Sequence, residues 1–283
     1  MSAAAAQPKI DAHHHVWRLE RGDYGWLTPA QAPIYRDFAL SDLAPLLAAA
    51  DIGATVLVQA APTVAETEFL LQVARASGGL VKGVVGWADL AVPDAVPALT
   101  RLARDPLLKS IRPMLQDLPD PEWILRDDVG RALSAFPRLG LRFDALVTPA
   151  QLPALLRLLD DHPDLRVVLD HGGKPAIASG EWEPWASLVA SLARHSRVEC
   201  KLSGLVTEAG PAWSVATLSR HVAHLIDCFG PRRLLWGSDW PVVELAGGYR
   251  RWRDATDVLL SGLPDADRAA ILGGNARRFY GLG

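Results

Sequence analysis

His13 and His15 stand one residue apart in the stretch Asp11-Ala12-His13-His14-His15-Val16-Trp17. Pro8-Lys9-Ile10 before them reads as the start of a short buried strand, so the histidines fall where that strand ends. Side chains alternate across a strand, which puts His13 and His15 on one face and His14 on the other. Two imidazoles on one face at a strand end make half a metal site. Set between an Asp and a Val-Trp pair, they do not resemble a terminal tag; histidines hydrogen-bonded in a rim are the plainer alternative.

The elements that would position further chemistry alternate regularly. After a long aromatic segment, residues 16–40, with Trp17, Tyr24, Trp26 and Tyr35 but no sustained period, helix and strand patterns follow one another. The aromatic segment suits an active-site loop or an aromatic plug over a barrel end. Ser41 is read as the cap of the first helix, and the runs from Ala54, Val81, Leu108, Leu141, Leu165, Val198 and Leu234 read as buried strands. Helices are expected over Ala65 to Ala76, Val96 to Arg104, Gly130 to Leu139, Gln151 to His162, Trp185 to His195, Val215 to Phe229 and Tyr249 to Leu260. Thr148-Pro149 is read as opening the fourth of these, and Gly274 to Tyr280 as a short closing helix.

Counted from Ile10, eight βα units without a Pro/Gly-rich linker predict one α/β domain over 1–283, a single (β/α)8 TIM barrel. An open doubly wound sheet is the alternative, and the first strand lacks the Gly-rich phosphate fingerprint of its nucleotide-binding form. With 29 basic and 32 acidic residues, net charge −3 and no basic run, nucleic acid is not an expected partner. Two cysteines, Cys200 and Cys228, fit a reducing compartment rather than a disulfide framework. Met1 to Gln7 is too short for a signal peptide and no apolar run reaches the length of a membrane span, so a cytoplasmic chain is expected. Subunit number is open, with a homo-oligomer among the options.

In such a barrel the active-site residues lie at the C-terminal ends of the strands. There the chain places His13 and His15, Gln59, Trp87 with Asp89, Arg112 and Gln116, Asp144, His171, Lys201 with Ser203, and Asp239. Closing the ring sets the eighth strand beside the first, so Asp239 can reach the paired histidines. His13, His15, His171 and Asp239 suit one divalent ion, zinc, with a position left for water; a metal-free cluster in which Asp239 pairs with a charged histidine is the other reading.

The His-x-His of Ile10 to Trp17, Gly22-Asp23-Tyr24-Gly25-Trp26, Ile111-Arg112-Pro113, Asp170-His171-Gly172-Gly173-Lys174-Pro175, Cys200-Lys201-Leu202-Ser203-Gly204-Leu205 and Gly237-Ser238-Asp239-Trp240-Pro241 together resemble the amidohydrolase superfamily. The branch resembled is that of sugar-lactone hydrolases such as L-fuconolactonase and of dicarboxylate lactonases, over essentially the whole chain. The resemblance implies a hydrolase in which His13, His15, His171 and Asp239 hold a metal or the reacting water. Members with full metal sites add a strand-four Lys or Glu or a strand-five His. This chain offers Arg112 and Asp144 there, which speaks against a binuclear centre, and metal-independent lactonases are known in the branch.

The expected reaction is hydrolysis of a cyclic ester, most simply an aldonolactone. Asp239 acts as general base on water, with a metal, His171 or Arg112 stabilising the oxyanion. Lys201 is a second candidate cation, or a structural partner of Glu199 or Glu208; Arg112 is a substrate ligand or an ion-pair partner of Asp144. Trp26, Trp87 and Trp240 would stack on a sugar ring or fill the barrel mouth, and Gln59 would bind substrate. The alternatives are a decarboxylase or hydratase of an unsaturated carboxylic acid on the same barrel, and a sugar-binding barrel without catalysis.

Overall fold

Runs such as Ile52-Gly53-Ala54-Thr55-Val56-Leu57-Val58 are apolar at successive positions because both of their faces are covered, as a parallel sheet under helices requires. A computed structural model describes residues 8–283; the alanine-rich start, Met1 to Gln7, lies outside the described residues. Eight strands pair in parallel in the order of the sequence: β1 Lys9–His14, β2 Ile52–Val58, β3 Val81–Gly86, β4 Leu108–Ile111, β5 Arg142–Ala145, β6 Val167–Leu169, β7 Val198–Leu202 and β8 Leu234–Trp236. The ring closes through a parallel bridge between His14 and Trp240. The Asp239 N–H donates to His13 O at 2.8 Å and the His15 N–H to Trp240 O at 2.7 Å. This is the (β/α)8 barrel the alternation predicts.

The helices are α1 Leu40–Ala49, α2 Val64–Ala76, α3 Ala95–Leu102, α4 Asp127–Leu133, α5 Phe136–Leu139, α6 Leu152–Asp161, α7 Trp185–Ala193, α8 Leu205–Glu208, α9 Val215–Phe229, α10 Gly248–Leu259, α11 Asp265–Ala269 and α12 Asn275–Tyr280. Three local expectations are corrected. Helix α1 is not capped by Ser41: Asp42 Oδ2 accepts the Ala39 N–H at 2.8 Å instead. The expected helix Gly130 to Leu139 is two, because Pro137 has no N–H for the Leu133 carbonyl. Thr148-Pro149 precedes α6 rather than opening it; Pro153 occupies the first turn, and Gln151 Oε1 accepts the Thr148 N–H at 2.7 Å.

The barrel interior holds Ile10, Ala12, Val56, Val168 and Leu235, and α12 closes its floor with Phe279 and Tyr280. At the other end, segment 16–40 is pinned at its base by an antiparallel bridge between Trp17 and Phe38. Among the described residues no helix is long and apolar enough to cross a membrane.

Candidate active site

The histidine pair owes its direction to an irregularity in β1. The register with β2 shifts between Asp11 and His14, a bulge that re-aims the strand. It lets Ile10 and Ala12 pack in the barrel interior while His13 and His15 bring their Nε2 atoms within 3.2 Å of each other. Both histidines and the intervening His14 are buried. Across the seam, Gly237 makes room: a Cβ there would stand 2.6 Å from His13 Cβ. Asp11 Oδ1 stitches the two strands, accepting the N–H of Ser238 at 2.9 Å and of His13 at 3.2 Å.

Asp239 and His171 follow the ends of β8 and β6, each with positive φ, 60° and 53°. Side chains rarely adopt that region, and such strain concentrates at functional sites. Asp239 Oδ1 lies 3.4 Å from His15 Nε2, 3.6 Å from His13 Nε2 and 3.9 Å from His171 Nε2. The far nitrogens are fixed. His15 Nδ1 donates to Val58 O at 2.8 Å, and His171 Nδ1 is 2.9 Å from Ser203 Oγ. Gly204 lies against that ring, where a Cβ would come within 2.5 Å of Nδ1. Burial drives the His13 ring well below its ordinary pKa and the His171 ring to about 4, so both are neutral at pH 7. Burial raises the Asp239 pKa, but His171, His15 and His13 outweigh it and hold the carboxyl below the usual range. At neutral pH the centre is one carboxylate ringed by imidazole nitrogens.

That arrangement fits a divalent ion. A tetrahedral ion with bonds of about 2.0–2.1 Å keeps neighbouring donors about 3.3 Å apart. His13 Nε2, His15 Nε2 and Asp239 Oδ1 are 3.2, 3.6 and 3.4 Å from one another. The carbonyl-bound Nδ1–H of His15 leaves its Nε2 lone pair facing the site, as metal-ligating histidines require.

Beneath the histidines lies a buried ionic network. Lys201, with no exposed surface, places Nζ 2.5 Å from Asp144 Oδ2, 2.9 Å from Asp170 Oδ1 and 3.2 Å from His13 Nδ1. The partners offered by the sequence reading, Glu199 and Glu208, are instead taken by Arg278 and Lys174. Arg112 pairs not with Asp144 but with Asp170, at 3.2 Å, and also donates to Gln59 O. Burial raises the Asp144 pKa; for Asp170, Lys201, His13 and Arg112 overcome burial and lower it. Asp170 was missed by the sequence reading although it adjoins His171. Its signal was its spacing, two residues beyond the inward-facing Val168.

A cavity of about 210 Å³ opens above this centre. His15, Asp239, His171, Arg112 and Trp26 line it, together with Lys174 and Thr207, which the sequence reading did not single out. Trp87, Trp240, Gln59 and Lys201 are not part of that lining. Trp240 is buried edge-on against Phe38, with ring centres 5.2 Å apart. Gln59 donates to Arg112 O at 2.7 Å, and the main chain of Trp87 is bonded to the Thr67 hydroxyl.

The chain is 47% identical over 279 residues to an L-fucono-1,5-lactonase of Burkholderia ambifaria, covering 96% of this chain and 95% of that protein. An L-fucono-1,5-lactonase of Burkholderia multivorans is 35% identical over 294 residues, covering 97% and 96%. Among solved structures, an amidohydrolase from Burkholderia multivorans with bound zinc superposes with a TM-score of 0.91 at 36% identity, covering 98% of this chain and all of that one. With the amidohydrolase family model matching residues 10–282, on a barrel whose first and eighth strands bring His13, His15 and Asp239 together, the chain belongs to the amidohydrolase family.

Proposed function

We propose that this chain hydrolyses a small neutral sugar lactone, with Asp239 as the general base. The observation that carries the reading is an ionised carboxylate within 3.9 Å of three imidazole nitrogens at a cavity. The two lactonase relatives, similar over nearly their whole length, support it.

Asp239 accepts a proton from the water that attacks the lactone carbonyl. His171 and Arg112, both lining the cavity, face the developing oxyanion, and Ser203 orients the His171 ring. Protonated Asp239 then returns its proton to the ring oxygen as it leaves, giving the open hydroxy acid. One divalent ion, zinc, is the proposed cofactor. His13, His15 and Asp239 would hold it with His171 in reach, and when bound it lowers the pKa of water and polarises a carbonyl. Lys201 does not reach the cavity and acts by holding Asp144 and Asp170 beneath His13. Trp26 offers a flat apolar wall to the sugar, while Gln59 braces Arg112 and Trp240 packs on Phe38 at the base of the loop. The aromatic segment 16–40 is the active-site loop, and the work is done in a reducing, cytoplasmic setting, in keeping with two unpaired cysteines.

The choice of a neutral substrate rests on charge. Each cation of the cavity already has a carboxylate: Arg112 has Asp170, and Lys174 has Glu208 at 2.7 Å. Asp239 would face the ion, so no lining side-chain cation is left as a counter-charge for a dicarboxylate lactone. A panel of aldonolactones and dicarboxylate lactones, followed by acid release, tests the reading. Neutral lactones are expected to turn over, and Asp239→Asn, which removes the base but not the volume, to lower kcat by about 10²–10⁴-fold. Full turnover by that variant, or activity confined to acidic lactones, would reject it.

A further inference from the structure

Glu66 is a fully buried carboxyl that the proposed reaction does not use. It occupies the third position of α2, after the cap residue Thr63, whose hydroxyl accepts the Glu66 N–H at 3.0 Å. A glutamate there ordinarily folds back onto the cap residue's own N–H. Here it does something else. Glu66 Oε1 accepts the N–H of Ala60 at 3.2 Å, and Oε2 accepts the Tyr24 hydroxyl at 2.9 Å, with Arg21 Nη2 at 3.4 Å.

These contacts join two segments that both line the cavity. Ala60 and Trp26 are wall residues, and Trp26 Nε1 donates to Ala60 O at 2.7 Å. Tyr24 precedes Trp26 by two residues, so three hydrogen bonds and the main chain from Tyr24 to Trp26 form a closed circuit through Glu66 and Ala60. Asp23 thickens it by accepting from Arg21 at 2.7 Å and from Thr63 at 3.0 Å. The base of the loop is held separately by the Trp17 and Phe38 bridge. Burying a carboxyl is costly unless its acceptors are used, and this one spends both oxygens on the wall. We infer that Glu66 is a positioning residue for substrate binding, a clasp that grips the aromatic loop through Tyr24 and sets Trp26 in the cavity wall.

This rests on the proposed reaction only in that the same cavity takes the substrate. The test compares wild type, Glu66→Ala, Glu66→Gln, Tyr24→Phe and the Glu66→Ala/Tyr24→Phe double variant on one neutral lactone, with amide hydrogen exchange of residues 18–37 alongside. Loss of the two buried hydrogen bonds that Glu66 accepts is expected to raise KM about tenfold in Glu66→Ala, with kcat within about threefold of wild type. Tyr24→Phe should move KM the same way, the double variant should be no worse than Glu66→Ala alone, and Glu66→Gln, which keeps an acceptor for Tyr24, should restore most of the loss. Exchange in 18–37 should quicken about tenfold in Glu66→Ala while the barrel strands stay protected. If Glu66→Ala does not fold, Tyr24→Phe and Glu66→Gln carry the comparison. Unchanged KM in the folded variants, or a fall in kcat at constant KM, would overturn the clasp. A wild type inert towards every lactone would sink the reaction instead; the exchange measurement then decides the clasp, and unaltered exchange in 18–37 overturns it.

Discussion

Burial pushes the Glu66 carboxyl up to about 7, against the lowering effects of Tyr24, Ala60 and Arg21, while Asp23 adds to the rise. The unfolded chain releases this proton near the ordinary glutamate value of 4.5. Between those two points the folded state holds a proton that the unfolded state has lost, so stability falls as pH rises through the window. Glu66→Gln, which mimics the protonated form, lacks that fall. Its stability relative to wild type is therefore expected to improve by up to about 3 kcal/mol between pH 5 and pH 8, read from urea midpoints at the two pH values; a constant difference would show that the carboxyl does not titrate there. Residue type and strand-end position made His13, His15, His171 and Asp239 legible in the sequence. Glu66 was hidden because a glutamate after a helix-capping threonine reads as part of the cap. The partners of Lys201 were hidden for another reason: Asp144 comes from β5 and Asp170 from the turn after β6, whereas Glu199 and Glu208 were merely near in sequence.

Between strands, the decisive feature is how closely β1 and β8 approach. A methyl at Gly237 would stand 2.6 Å from His13 Cβ and 3.0 Å from its main-chain nitrogen, so Gly237→Ala must push the seam apart. Overpacking of this kind costs about 1–3 kcal/mol, but a displacement of about 1 Å at the reacting groups costs about 10²-fold in rate. A variant that folds yet loses about ten- to a hundredfold in kcat/KM is the expected outcome. Gly262→Ala, where an added Cβ would meet nothing, should match wild type; equal activity in both would separate the seam from catalysis. The elements were legible because a period of two and a period near 3.6 leave different apolar patterns. Their ends were less so. The bulge of β1 has no composition of its own and arises from pairing with β2, and several candidates lie just past the strand ends, as Asp239 does after Trp236, while His13, Asp144 and Lys201 lie within strands.

Taken whole, the molecule is a ring whose mouth and floor are joined by side chains. From α12 the Tyr280 hydroxyl donates to Asp144 Oδ2 at 2.7 Å, Asp144 accepts from Lys201, and Lys201 reaches Asp170 and His13. The barrel itself was legible from eight alternating units, and the tail was read as a helix packed against it; that the helix fills the floor depends on a packing no local pattern encodes. The column poses a question that one substitution answers. Tyr280→Phe keeps the ring that fills the floor but withdraws a donor from a buried carboxylate, which costs about 1.5–3 kcal/mol. At about 2–4 °C per kcal/mol for a chain of this size, Tm should fall by roughly 3–12 °C. Activity should hardly move, because Lys201 still binds both carboxylates and His13 keeps its neighbour. A drop in kcat beyond about tenfold, which is about 1.4 kcal/mol on the activation barrier, without loss of Tm would mean that the floor governs the histidines directly.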